Sequence, residues 1–304
     1  MNPILVYLDP SEDNLPVVHK AEYLARRWQA PLVLFSVVFN AALARSLSGD
    51  DSSKAESQQA GFLREQEAKL ESFAHSLRER GLDVSTRVAW CKHAWTAIER
   101  VVSEQTFDLI LKGTHHQNVV QRTFFSSTDW DLMRCSRLPV LLVKDAPWPE
   151  KGMRLTACVD PIEQGSAPRM LDKAILLQSR VWQDALSTEL EVLNVYDPTP
   201  FIVYMDPPVP DTTPITEALA DQHQEALDAL LDETGLPRTM GRLEAGTPSS
   251  TIPELVSQTG SHVVILGAQT REGINRWLIG HTAEKILDRI SCDVLVIKTD
   301  QSGS

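Results

Sequence analysis

Cysteine is scarce in this chain: Cys91, Cys135, Cys158 and Cys292 are the only four in 304 residues, and no two are close enough to form a CxxC pair. Free thiols in a reducing compartment are therefore expected. Aromatics are also few, at 6%, and no apolar run approaches the roughly 18 residues that a membrane helix needs. Residues 1–9 contain no Lys or Arg and only one short apolar run, so a secretory leader is not expected and a cytoplasmic location is. Positive charge is short as well. Lys and Arg total 29 against 41 Asp and Glu, a net charge of −12. That balance is the opposite of the basic footprint used to neutralise phosphate backbones, so neither nucleic acid nor a membrane is an expected partner.

The charge is unevenly divided. Before Trp148 there are 17 basic and 18 acidic residues, leaving 29 − 17 = 12 and 41 − 18 = 23 after it, so the halves carry about −1 and −11.

What the chain does have is order repeated twice. Short β-branched runs alternate with helical stretches, the pattern of a parallel sheet with crossover helices. Strands are expected at 4–8, 32–37, 84–89, 109–111 and 140–143, with helices at 15–28, 61–80, 94–104 and 128–135. A second series of strands is expected near 155–159, 190–195, 239–244, 263–266 and 294–297. The strands are apolar without alternation, as a sheet covered on both faces requires. Leu8-Asp9-Pro10 matches Val159-Asp160-Pro161 at an offset of 151. Gly113 matches Gly267, Ile98 matches Ile252, and Val143-Lys144 matches Ile297-Lys298 at 154. The reading is α/β, with two tandem doubly wound five-stranded parallel-sheet domains of strand order 3-2-1-4-5, residues 1–146 and 152–304. A short Pro-rich linker lies between them, and the domains are expected to pack as an intramolecular pseudo-twofold pair through their fifth strands.

One segment breaks the repeat: residues 196–214 carry six prolines around the apolar stretch Phe201 to Met205. A loop of that length is either functional or packed against its own chain.

In doubly wound sheets ligands sit beyond the carboxyl ends of the strands. After the fourth strand of the second half, Gly267 and Gly280 flank a loop that opens a helix with the stripe Ala283, Ile286, Leu287 and Ile290. Such a loop can cradle phosphate, with Arg271 and Arg276 adding charge-assisted contacts. The same glycines can equally do no more than turn the chain into the helix. Motifs for a nucleophile elbow, a zinc-protease helix and a Walker loop are absent, so an enzyme is not expected, beyond slow incidental ATP hydrolysis. Cys91 and His93 after the third strand, with His115 and His116 after the fourth, suggest zinc only weakly, since two strands separate those ends in a 3-2-1-4-5 sheet. No metal site is expected.

The segment Gly267-x2-Thr270-x9-Gly280-His281 resembles the Gly-x2-Gly-x9-Gly-Ser/Thr signature of ATP-binding universal stress proteins. Asp160, Gly246-Thr247-Pro248 with Ile252, the run 290–297 and the segment 126–130 agree, and with the duplication they make the whole chain similar to tandem universal stress proteins. The resemblance implies a stress-response protein that takes ATP or AMP in the second domain only. Asp160 would lie near ribose or adenine, and Gly267, Gly280, His281 and Thr282 near phosphates. Thr270 and His281 depart from the motif, the former adding a Cβ where close backbone approach is needed. In the first half the matching segment is Gly113-x2-His116-x9-Ser126-Ser127, where two of three glycines are gone and the hydroxyls are helix caps. The alternative is an adaptor without nucleotide that holds a protein or lipid-like ligand through apolar surfaces. Protein partners and a homodimer are compatible with either.

Overall fold

The computed structural model describes residues 1–47, 52–114, 125–162, 166–199, 212–270, 277–278 and 281–299. They fall into two compact units. One comprises residues 1–114, Phe125–Leu132 and Leu138–Pro147, and the other Met133–Arg137 and the described residues from Trp148 onward.

In the first unit the strands are β1 (Ile4–Tyr7), β2 (Leu32–Val38), β3 (Val84–Trp90), β4 (Leu109–Gly113) and β5 (Val140–Val143). All neighbours pair in parallel in the order β3-β2-β1-β4-β5. β1 and β5 are buried along their whole length, which is why they read as unbroken apolar runs. The helices are α1 (Leu15–Trp28), α2 (Ala41–Ser46), α3 (Ser52–Glu79), α4 (Ala94–Glu104) and α5 (Ser127–Cys135), the last of which belongs to this unit as far as Leu132. α1 buries Val17, Val18, Ala21, Leu24, Ala25 and Trp28, the one-sided stripe that pins a helix on a sheet.

Two helices differ from the sequence reading. α3 starts at Ser52, well before the expected 61, because its first turns contain Ala, Glu, Gln and Lys, good helix formers that show no apolar stripe. α2 was not expected; it is six residues long and stands on an Asn40 cap whose side chain accepts from Ala42 N and Leu43 N, both at 3.0 Å.

The second unit contains β6 (Arg154–Cys158), β7 (Glu189–Tyr196), β8 (Gly241–Ala245), β9 (Val263–Thr270), β10 (Trp277–Leu278) and β11 (Asp293–Lys298). Its parallel order is β8-β7-β6-β9-β11, the same 3-2-1-4-5 plan. The helices are α6 (Ser166–Leu186), α7 (Thr213–Thr234), α8 (Pro248–Thr259) and α9 (His281–Leu287). Most of the proline-rich stretch, including Phe201 to Met205, lies outside the described residues.

A correction concerns the end of the fourth strand. β9 does not stop at Leu266 but runs on to Thr270, where β10 pairs with it antiparallel, Trp277 opposite Thr270 and Leu278 opposite Gln269. Gln and Thr read as a loop, yet partners across a hairpin hold them extended. Among the described residues no helix is long and apolar enough to cross a membrane.

Both units use the same buried tie beneath the carboxyl ends of their strands. In the first, Gln66 Nε2 donates to Ser36 Oγ at 2.9 Å and Ser36 Oγ donates to Leu8 O at 2.7 Å. In the second, Asn194 Nδ2 donates to Val159 O at 3.0 Å, and Asn194 Oδ1 lies 3.0 Å from His223 Nδ1. A helix across the face (α3 or α7) is thereby fixed to the second and first strands by a satisfied polar link.

Candidate functional site

In the second unit the crossover direction reverses between β6 and β9, which are hydrogen-bonded neighbours with Ala157 opposite Ile265. Asp160, just beyond β6, and the stretch Gly267 to Thr270, at the end of β9, therefore lie at neighbouring strand ends, the place where doubly wound sheets bind ligands. Asp160 is exposed, and its backbone N–H donates to Asp172 Oδ1 at 3.3 Å. At the end of β7, Tyr196 stacks on His223 with centroids 4.6 Å apart and rings 26° from parallel. Burial holds the His223 imidazole below its usual pKa, and the negative charge of Asp160 works against that shift. The buried ring is therefore favoured neutral, with its Nδ1 proton directed at Asn194 Oδ1.

Asp197 follows Tyr196. Its carboxylate accepts from Thr199 N at 2.9 Å and from Thr247 Oγ1 at 3.0 Å. Hydrogen bonds from Thr199, and then from Thr247, keep it below the usual carboxylate range. This link ties the end of β7 to the turn after β8, where Gly246 has φ of +152°, a conformation that side chains avoid. A Cβ there would also run into Thr251 Oγ1.

Gly267 has a different reason to be glycine. A Cβ on it would lie 2.5 Å from Leu171 Cδ2 and 3.0 Å from Ile175 Cδ1, so its absence lets α6 sit directly on β9. Gly113 holds the matching place in the first unit, where a Cβ would meet Val17 Cγ2 of α1 at 2.9 Å. Thr270 lies in a strand rather than a loop, and His281 and Thr282 open α9. Arg271 and Gly280 lie outside the described residues, as do Arg276, His115 and His116. Among the described residues no group of three or more His, Cys, Asp or Glu side chains could hold a metal, and Cys91 Sγ donates instead to His93 O at 3.3 Å.

A nucleotide needs an acceptor for ribose hydroxyls, a surface for the base and donors for phosphate. The exposed Asp160 carboxylate beyond β6 is an acceptor of the first kind, and the Tyr196 ring at the end of the neighbouring β7, stacked on His223, is an aromatic surface of the second. These are groups of the chemistry that a nucleoside requires.

The first unit has a cleft of its own, which the sequence reading did not anticipate. It measures about 390 Å³ and opens at the carboxyl ends of β1, β2 and β3. Phe39 and Phe62 flank Trp90, with centroids 5.6 and 6.3 Å from its ring. The available signal was positional, since β2 and β3 each run out into an aromatic residue.

Behind Tyr7, which lines the cleft, lies a buried ion cluster. Lys112 Nζ is 2.8 Å from Asp129 Oδ1 and 3.6 Å from Glu12 Oε1, with Lys112 and Asp129 wholly enclosed. Lys112 also donates to Gly113 O at 2.6 Å. Asp129 Oδ2 accepts from Ser126 N at 2.6 Å and Ser126 Oγ at 2.8 Å, while Ser126 Oγ caps Asp129 N at 3.2 Å. Burial raises the Tyr7 phenol, and Asp9, Glu12 and Asp129 raise it further.

Comparison with known proteins gives the same domain plan. The model of the universal stress protein family matches residues 1–144 and 154–298. Universal stress protein E of Escherichia coli K12 is 30% identical over 98% of this chain and 94% of its own length. The protein of that name from Photorhabdus laumondii is 26% identical over 98% of this chain and 95% of its own. Among solved structures, a Pseudomonas aeruginosa PAO1 protein described as functionally unknown superposes with a TM-score of 0.74 at 25% identity, covering 98% of this chain and 92% of that one. A universal stress protein from Archaeoglobus fulgidus gives 0.66 at 15% identity, covering 97% and 98%.

Proposed function

Since the chain belongs to the universal stress protein family, with two such domains and hence a stress-response role, we propose that it acts there as a non-enzymatic sensor that binds ATP or AMP in its second domain. The observation that supports this reading is the pairing of β6 with β9, which brings Asp160 and the end of β9 to the point of topological reversal. In this reading the Asp160 carboxylate accepts the ribose hydroxyls and the Tyr196 face meets the base. Gly267 and Gly246 act indirectly, by letting α6 close on β9 and by turning the chain after β8. Thr270, Arg271, Gly280, His281 and Thr282 are assigned to the phosphate side on the motif alone.

Thermal melts of the full chain with and without ATP provide the test, because a ligand that binds the native state raises the midpoint with its saturation. Asp160→Ala and Gly280→Val should each melt as a folded protein and lose the ATP-induced rise. An undiminished rise in both variants would place the nucleotide elsewhere and overturn the reading.

A further inference from the structure

We infer that the cleft of the first unit is a binding site for a planar heteroaromatic cation that carries no phosphate. The cleft lies within the range of small-ligand pockets, and one wall is built from three rings. Phe39 and Phe62 are 39% and 43% exposed, a large apolar area to leave in water on a single surface. Trp90 between them offers the face on which a flat cation gains both stacking and cation–π attraction.

The charge around the cleft selects the sign of the occupant. Asp9 and Asp131 line it, and Glu12 and Asp129 stand behind Tyr7. Against these four carboxylates are the exposed Lys92 and the enclosed Lys112. Lys112 is already committed to Asp129, Glu12 and Gly113 O, and Asp9 is held towards Ser11 by hydrogen bonds of 3.0 and 2.6 Å.

Of the donors at the start of α5, those of Ser126 are also in use. The Ser126 N–H and hydroxyl are directed at the Asp129 carboxylate, which occupies that position as a built-in anion. A second anion would meet this carboxylate at close range, whereas a cation would relieve the excess of negative charge over Lys92 and His93, the basic side chains among the described lining residues. The inference is independent of nucleotide binding in the second domain, since it rests only on residues of the first unit.

Calorimetric titration of the full chain with one ring system in three charge states gives the test. The probes are 1-methylquinolinium, 2-methylquinoline at about pH 8 where it is uncharged, and quinoline-2-carboxylate. Affinity should fall in that order, with about tenfold between cation and anion. Asp131→Asn should weaken the cation about threefold and leave the neutral ring unchanged. Trp90→Ala should weaken cation and neutral ring alike by about tenfold. Phe62→Ala, at an exposed ring, repeats that test should Trp90→Ala melt early. Absence of binding by all three probes, an anion as tight as the cation, binding indifferent to both aromatic substitutions, or displacement of the cation by equimolar ATP would each overturn the inference. Loss of ATP binding with the cation series intact would count against the nucleotide reading alone.

Discussion

Gly267 shows how one residue type serves two unlike demands. The motif assigns it to phosphate, while the structure places Leu171 and Ile175 where its Cβ would be. Gly267→Ala should therefore cost about 1–3 kcal/mol, the usual penalty for overpacking a close contact. A denaturant titration that found no loss of stability, together with a lost ATP effect, would return this glycine to the ligand. His223 makes a second case. Its pKa lies below the usual 6.5, so below that pH the unfolded chain binds the proton more readily than the native one. Its contribution to stability is present at neutral pH and disappears as the pH falls through the lowered value. His223→Gln, which copies the Gln66 donor of the first unit, should flatten the decline in melting temperature between about pH 7 and pH 5; an equally steep decline in the variant would refute the assignment. Asp160 was legible in the sequence because it ends an apolar run followed by Pro161. His223 was not, because a lone histidine in a polar helix announces no partner.

At the scale of elements, the strands were legible because burial on both faces leaves them no polar positions, and β5 matched its expected bounds. Elements whose order comes from partners were not: β10 consists of two residues, and the first turns of α3 have few apolar contacts to advertise. The link between β4 and α5 stands between these cases. A lysine within Leu109–Gly113 had to find a carboxylate in a sheet covered on both faces, and it found Asp129. Asp129→Ala leaves that lysine buried without its nearest carboxylate and removes the acceptor of Ser126 N and Oγ, so it should cost about 3–5 kcal/mol. Ser126→Ala removes only the cap and should cost about 1 kcal/mol. Equal losses from the two substitutions in urea unfolding would show that capping, rather than ion pairing, dominates this corner.

Across the whole chain, duplication was the most legible feature, since two rows of strands in one order yielded two units of one strand order. Duplicated backbones did not keep duplicated surfaces. The halves carry about −1 and −11, so the domain assigned to a polyanionic nucleotide is also the more acidic. That combination predicts an unusual response to salt. Sites that attract phosphate through clustered basic residues lose association rate as salt is added. On the proposed function, the long-range field of the second half would repel ATP, and only short-range contacts would favour it. Raising ionic strength from about 0.01 to 0.15 M shortens the screening length from about 30 Å to about 8 Å. This would remove the distant repulsion and leave short-range contacts at the proposed site largely intact. The association rate constant of ATP, followed by stopped-flow fluorescence on the full chain, should therefore rise over that range. A steady fall would mean that basic residues near the proposed site, Arg271 and Arg276 foremost, govern the approach of the nucleotide despite the charge of the half around them.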